Sequence, residues 1–233
     1  MKAVSVPALE AIPGLVHGFE QRLGPSGWEA RESGRRRVAQ ALGGAGRLLL
    51  LAQMHGAIVR QAPWHGHPEG DAATADAPGW ILGIETADCL PILLVDPRRR
   101  AVAAAHGGWR GTAAGVARRA VAALVASGSR ACDLIAALGP GIGPCCYEVG
   151  EDVRDAFGAQ DAALFRPGPR GRPHLDMRSA NQRQLRGAGL LPERIHHVSD
   201  CTFCHAELYH SYRRDGSNAG RMISFVGWAA PRP

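Results

Sequence analysis

Lysine is almost missing from this chain. Lys2 stands alone among 27 lysines and arginines, so an anion bound by this protein must be met by arginine or by backbone amides. Aromatic side chains are scarce too, at 6% of 233 residues. The arginine clusters at 35–37 and 98–100 read as loops and are not interleaved with stacking aromatics. The formal charge of +6 therefore reads as a solvated surface, with room for a small phosphate-bearing ligand but no nucleic-acid partner. The longest apolar runs, 47–52 and 81–84, are strand-sized and far below the ~18 residues of a membrane span. Residues 1–17 contain no apolar signal core, so a cytoplasmic protein without a membrane partner is expected. No internal repeat and no Ser/Gly linker divides the sequence. With 45% hydrophobic and 21% charged residues, one globular domain over 1–233 is expected.

Several familiar motifs are also absent. The turn Gly139-Pro140-Gly141-Ile142-Gly143-Pro144 has neither dinucleotide-binding nor P-loop spacing, so it is a rigid connector or a backbone cradle for an anion. The six cysteines, Cys89, Cys132, Cys145, Cys146, Cys201 and Cys204, point in a cytoplasmic chain to burial, catalysis or metal rather than disulfides. A bridge between neighbouring Cys145 and Cys146 would be strained, which leaves packing or the lining of a loop. Cys201-Thr202-Phe203-Cys204-His205 has the c-type haem spacing, but that attachment belongs to exported proteins. A redox pair there would need thioredoxin-like surroundings, which are missing.

Apolar runs predict strands at 47–52, 57–61, 81–84, 91–95, 101–105, 134–138, 195–198 and 222–226. Helices are predicted at 112–126, 151–157 and 179–187. The first has Thr112 as N-cap, Val116, Ala120, Ala123 and Leu124 on one face, and Ser127-Gly128 as its stop. Residues 166–173 and 215–220 read as loops. Strands mixed with helices indicate an α/β (α+β) fold with mixed sheets.

Three strand ends are each followed by a metal-type ligand: His55 in Gln53-Met54-His55-Gly56, Cys89 in Thr86-Ala87-Asp88-Cys89-Leu90-Pro91, and His106 in His106-Gly107-Gly108-Trp109-Arg110-Gly111. They stand 34 and 17 residues apart, so only folding could bring them together. Two imidazoles and a thiolate suit Zn²⁺ with one position left open. A turn-capping histidine and a buried cysteine are the plainer alternatives. Arginines gather again in Ser211-Tyr212-Arg213-Arg214-Asp215 and at Arg221, either as forks for phosphate or as surface ion pairs.

These three segments, with Asp71-Ala72-Ala73-Thr74, the stretch 139–150, Cys201-Thr202, 211–215 and Gly220-Arg221, occur in an order that resembles the laccase-domain or polyphenol oxidase family. Members of that family include the peptidoglycan editing factor and are assigned purine nucleoside phosphorylase activity. The resemblance spans about residues 14–228. It implies one domain layered as an α/β/β/α sandwich, with two mixed sheets between helical layers. It implies zinc on His55, Cys89 and His106, with copper as the alternative metal. It implies purine nucleosides and phosphate as partners, in a monomer or weak homo-oligomer. The reactions implied are phosphorolysis of adenosine, inosine, guanosine and S-methyl-5′-thioadenosine, adenosine deamination, and a link to peptidoglycan precursor editing.

Other roles follow from chemistry beside that resemblance. Asp88 is the carboxylate nearest the ligands in sequence, either a proton shuttle for deamination or a turn cap. Arg110, Arg213 and Arg214 are candidates for phosphate. Arg22 keeps the family's place in Gly18-Phe19-Glu20-Gln21-Arg22-Leu23-Gly24-Pro25, although the usual glycine pair after it is broken. Tyr209-His210 replaces an aromatic pair, and Cys204 and His205 have no family role. Two other classes are a copper-dependent phenol oxidase, which would need more paired histidines, and a non-enzymatic cell-wall assembly factor, which would need neither metal nor cleft.

Overall fold

Unbroken apolar runs suit strands that are covered on both faces, and every residue of Leu90–Asp96 and Ala101–Gly107 is buried. The computed structural model describes residues 1–22, 28–169 and 171–231. In chain order the strands are β1 (Ala3–Val4), β2 (Leu15–Glu20), β3 (Arg47–Leu49), β4 (Val59–Gln61), β5 (Ala72–Ala75), β6 (Trp80–Thr86), β7 (Leu90–Asp96), β8 (Ala101–Gly107), β9 (Ile135–Leu138), β10 (Phe165–Pro167), β11 (Pro173–Leu175), β12 (Ile195–His197) and β13 (Met222–Trp228). The helices are α1 (Pro7–Glu10), α2 (Trp28–Leu42), α3 (Trp109–Ala113), α4 (Val116–Ala126), α5 (Glu151–Phe157), α6 (Met177–Gly187) and α7 (Tyr212–Asp215).

One sheet runs β1-β2-β13-β6-β3 and the other β12-β9-β7-β8-β5-β4, with β10 and β11 forming a separate hairpin. Both larger sheets are mixed: β3 and β6, β4 and β5, and β9 and β12 pair in parallel, and the other neighbours are antiparallel. Side-chain alternation sorts the cores. Leu93, Val95, Val102 and Ala104 of one sheet meet Phe19, Leu82, Ile84 and Val226 of the other. On the opposite face Ile92, Leu94, Ala103 and Ala105 pack beneath Val116, Ala120 and Leu124 of α4 and Leu185 of α6. Val38 and Leu42 of α2 cover Ile81, Ile223 and Phe225. The layers are therefore α/β/β/α, as expected. Each fully buried Leu or Ile contributes roughly 1.5–3 kcal/mol, so the two-faced strands dominate the cohesion. No helix among the described residues is long and apolar enough to cross a membrane.

Some local expectations need correction. The helix expected over 112–126 is two helices, broken at Gly115, whose φ of +81° is left-handed. Thr112 is not a cap. It lies buried inside α3, and its hydroxyl is 3.0 Å from the Asn181 amide, which donates to it. The arginines at 35–37 are helical, not in a loop. Arg35 makes a bidentate pair with buried Glu85 at 2.7 Å, and Arg37 reaches buried Glu20 at 2.7 Å. Of the loop expected over 166–173, Arg166 and Pro167 end β10 and Pro173 opens β11, and α7 runs into the stretch 215–220 at Asp215. Leu23, Gly24, Pro25 and Arg170 lie outside the described residues.

Where β9 ends, the chain passes between the two sheets. A Cβ on Gly139 would collide with the Phe19 ring and sit 2.8 Å from Cγ of Pro91. Gly139→Ala should lower unfolding free energy by ~1–3 kcal/mol through overpacking, read as a fall in denaturant midpoint. Gly187→Ala, with open space at the end of α6, should be neutral or slightly stabilising in the same assay.

Candidate metal centre and adjoining cleft

Strand register assembles the centre. In the antiparallel β7–β8 pair, Pro91 faces His106, which brings Cys89 at the mouth of β7 beside that histidine. In the β5–β8 pair Ala72 faces Ala105, so Asp71 lies next to His106, and the His106 amide donates to the Asp71 carbonyl at 2.7 Å. His55 comes from the turn before β4. Its turn is anchored to β6 by Gln53, which exchanges two 2.8 Å hydrogen bonds with the Glu85 backbone. The ligand atoms of His55, Cys89 and His106 all lie within 4.8 Å of one another. The two imidazoles meet edge-on, with centroids 4.8 Å apart. His106 forms the buried floor, Cys89 is half-buried and His55 is exposed at the rim.

The glycines of this segment make room. A Cβ on Gly108 would stand 3.0 Å from the His55 ring and 3.3 Å from the Cys89 sulfur. One on Gly111 would press the Gly56 carbonyl at 2.6 Å.

Asp71 organises the floor and the rim together. Oδ1 accepts the His55 amide at 2.8 Å, and Oδ2 accepts the amides of Gly56 at 2.7 Å and Met54 at 3.2 Å. His106 Nδ1 donates to Oδ1 at 2.9 Å, which leaves Nε2 as the nitrogen available to a ligand. This web holds His55 at φ +59°, a left-handed backbone that costs a non-glycine residue about 1–3 kcal/mol. Burial acts to raise the Asp71 carboxyl. The hydrogen bonds from His106 and the loop amides reverse that and hold it below its ordinary value.

Charge at the centre is paired. Burial opposes ionisation of Cys89, but the His106 charge and hydrogen bonds from both imidazoles bring its thiol down to about 6. Burial likewise opposes protonation of His106, and the Cys89 thiolate with Asp71 carries it up to about 9. The pairing favours the Cys89 thiolate, and an entering cation displaces the proton that His106 carries toward that sulfur. Two imidazoles, a thiolate and a rim-exposed side fit a divalent ion with three protein ligands.

A cleft of about 420 Å³ has Trp109, Arg110, Tyr147, Glu148, Arg172 and Arg213 among its walls; the trio does not line it, but Trp109 follows Gly108, which approaches the His55 ring and the Cys89 sulfur. Arg110 stacks on Trp109 at 4.2 Å and Arg213 on Tyr147 at 5.2 Å. Burial, then the charge of Cys89, pushes the Tyr147 phenol well above its usual range, while Arg213 and Arg110 pull the other way. Tyr147 is therefore a protonated donor lying within the field of both the ligand trio and the arginines.

Of the other residues expected at a site, only Arg110 and Arg213 meet in this cleft. All three Arg214 guanidinium nitrogens are committed, to the carbonyls of Thr202, Phe203 and Tyr209 and to the Asp215 carboxylate. Arg22 joins the loop 206–208 instead, donating to the carbonyls of Ala206 and Leu208. Asp88 takes the capping role. Its two oxygens accept the Thr202 hydroxyl and the Arg213 amide, each at 2.6 Å. The 139–144 turn is a connector, since the amides of Gly139, Ile142 and Gly143 already serve Pro91 O, Asp88 O and the Cys201 sulfur. Asp71, Tyr147 and Glu148 carry no forecast role. The only signal for them in the sequence is their place inside shared motifs.

A profile of the family described as multi-copper polyphenol oxidoreductase laccase matches residues 29–229. A purine nucleoside phosphorylase of Deinococcus radiodurans is 42% identical over 83% of this chain and 75% of its own. Adenosine deaminase RL5, from an unknown prokaryotic organism, is 36% identical over 67% of this chain and 61% of its own. The crystal structure of YlmD from Geobacillus stearothermophilus superposes with a TM-score of 0.85 at 30% identity, covering 94% of this chain and 93% of that one.

Asp71→Asn should destabilise the fold by ~3–5 kcal/mol, because it leaves His106 and three amides facing a neutral side chain. Metal affinity should fall about 10–100-fold. The Asp71 carboxyl is depressed in the fold, so its contribution is complete above the free value of ~3.9 and is lost as pH falls through the folded value. The stability gap between wild type and variant, measured by denaturant titration, should close on acidification below that range.

Proposed function

The chain belongs to the family described as multi-copper polyphenol oxidoreductase laccase, and from that footing we propose that it is a zinc-dependent purine nucleoside phosphorylase. Adenosine, inosine, guanosine and S-methyl-5′-thioadenosine are the substrates proposed, with adenosine deamination as a second reaction of the same cleft. One observation carries this reading: three ligands distant in sequence converge, and short chain connections lead from them to a cleft that gathers Arg110 and Arg213, since Gly108, which approaches His55 and Cys89, precedes Trp109 and Arg110, and the Arg213 amide donates to Asp88 beside Cys89.

His55, Cys89 and His106 would hold the ion, which when bound supplies a Lewis acid and lowers the pKa of a water. In phosphorolysis a phosphate oxygen bonds to C1′ of the ribose as the bond from C1′ to the purine nitrogen breaks, and the electron pair leaves with the base. Arg110 and Arg213 bind and orient the phosphate dianion, and their stacking on Trp109 and Tyr147 limits how far each fork can swing. The Tyr147 hydroxyl, held protonated, donates a hydrogen bond to the departing purine. For deamination, Glu148, which lines the cleft and pairs with Arg172 at 3.8 Å, is the carboxylate proposed for proton transfer.

Copper phenol oxidation is the weaker reading. The two groups of metal-type side chains found among the described residues contain only two histidines, too few for a multicopper cluster. The trio is also the donor set of a mononuclear blue-copper site, and metal analysis of the purified protein separates the two.

Metal-replete protein incubated with inosine should release hypoxanthine and ribose 1-phosphate only when phosphate is supplied. Cys89→Ser should abolish that turnover while retaining the circular dichroism of the wild type, since oxygen is a poorer zinc ligand than thiolate. Wild-type turnover in the folded variant would refute the assignment. Arg110→Lys and Arg213→Lys should each raise the phosphate KM about tenfold, equivalent to ~1.4 kcal/mol of binding. An unchanged KM in both would remove the arginines from phosphate recognition.

A further inference from the structure

Four cysteines lie outside the chemistry described above, and the fold gathers them at one point. Cys145 and Cys146 follow the turn that leaves β9, and Cys201 and Cys204 sit on the loop between β12 and α7. A backbone bridge aligns Gly141 with Cys201, and the Thr202 amide donates to the Gly141 carbonyl at 3.1 Å. The four sulfurs all lie within 4.8 Å of one another. Cys204 Sγ is 3.4 Å from that of Cys146 and 3.8 Å from that of Cys145. All four are free thiols. A tetrahedral zinc with Zn–S bonds of ~2.3 Å has sulfur–sulfur edges of ~3.8 Å, whereas a disulfide requires ~2.05 Å.

We propose that Cys145, Cys146, Cys201 and Cys204 form a second metal site, a four-thiolate structural zinc centre distinct from the His55, Cys89 and His106 trio. The Cys-Thr-Phe-Cys spacing lets one loop supply two ligands to one ion. The Gly143 amide donates to the Cys201 sulfur at 3.2 Å, the kind of outer-shell hydrogen bond that orients a thiolate ligand. Position 143 tolerates no larger residue without disturbing the group. A Cβ there would lie 3.2 Å from the Cys145 sulfur and 3.3 Å from Cys201 Cβ. His205 is drawn away from the cluster, with its ring 3.5 Å from Glu207, so the ligand set is all sulfur. Four protein ligands close the coordination shell, which makes the role structural rather than catalytic.

The two loops it would join carry the cleft wall. Tyr147 and Glu148 directly follow Cys146. Thr202, between the two loop ligands, donates to Asp88, the neighbour of Cys89. The Arg214 guanidinium clamps the carbonyls of Thr202 and Phe203. An ion at this point fixes the wall against the mouth of β7.

Metal content and cobalt absorption of the full chain, prepared reduced and zinc-replete, test the proposal. Two zinc ions per chain are expected in wild type and one in Cys89→Ser. Cobalt loaded into Cys89→Ser should show the strong sulfur-to-metal charge transfer and tetrahedral d–d bands of four thiolates. The Cys201→Ser/Cys204→Ser double variant should lose one zinc. Should it fail to fold, Cys145→Ser at the exposed edge serves instead, with cobalt charge-transfer intensity reduced by about a quarter as one of four sulfur ligands is lost. The proposal is overturned if cobalt-loaded Cys89→Ser lacks four-thiolate absorption, if all four thiols react freely in the native zinc-replete protein, or if a disulfide within the group survives chelation. If the trio were the site that bound no metal, wild type and Cys89→Ser would both hold one zinc with the four-thiolate spectrum intact, so the two failures separate.

Discussion

Asp71 is fully buried and stays charged because one imidazole and three main-chain amides converge on it. Unpaired, such a carboxylate would be protonated or would unfold its surroundings. Paired, it links two pieces of chain that share no strand: the turn with His55 and the end of β8 with His106. The left-handed backbone of His55, the tautomer of His106 and the separation of the two rings all depend on that one group. Cys89 then needs only the β7–β8 register to complete the trio. Cys89 and His106 sit at the ends of two interior strands and His55 on a turn pinned by Asp71 and Gln53, and that suits a preformed set of ligands.

How much of this could be read beforehand depended on what buries each segment. β6 to β9 are covered on both faces, so they appear as continuous apolar runs. The alternation that assigns Ile92 and Leu94 to one core and Leu93 and Val95 to the other is invisible without the fold. β5 is only Ala-Ala-Thr-Ala and carries no strand signal of its own; its neighbours impose its conformation. α2 was hidden for the opposite reason. Three consecutive arginines and two glutamates mask a narrow apolar stripe, Val38 and Leu42, and two of those arginines are spent on buried carboxylates. The convergence of His55, Cys89 and His106 could be suspected because their residue types are rare and both histidines stand beside glycines. The role of Asp71 could not, because one aspartate before an alanine run says nothing about which amides will face it.

The arginines show why residue type alone misleads about anion binding. Arg213 and Arg214 are adjacent, yet α7 turns one over Tyr147 toward the cleft and folds the other back onto loop carbonyls. Arg110 stacks on an indole face, and among the described residues no side-chain hydrogen bond commits its guanidinium. Asp88 likewise serves its neighbours: it ties the start of α7 and the 201–204 loop to the residue next to Cys89. The backbone of Arg213 is thereby tied to the residue that precedes Cys89.

The position of β13 has a consequence for how the chain is made. This strand lies between β2 and β6 and hydrogen-bonds to both, from Met222 to Trp228. During synthesis the first sheet remains in two separate pieces until β13 has left the ribosome. Until then β2 and β6 each expose an unpaired inner edge, and the core shared by the two sheets lacks Val226 and Trp228. Such edges invite pairing with other chains, and contacts spanning some two hundred residues form late and slowly. The nascent protein is most vulnerable just before β13 emerges, when every element of the site has been made and the strand that joins the two halves of the first sheet has not.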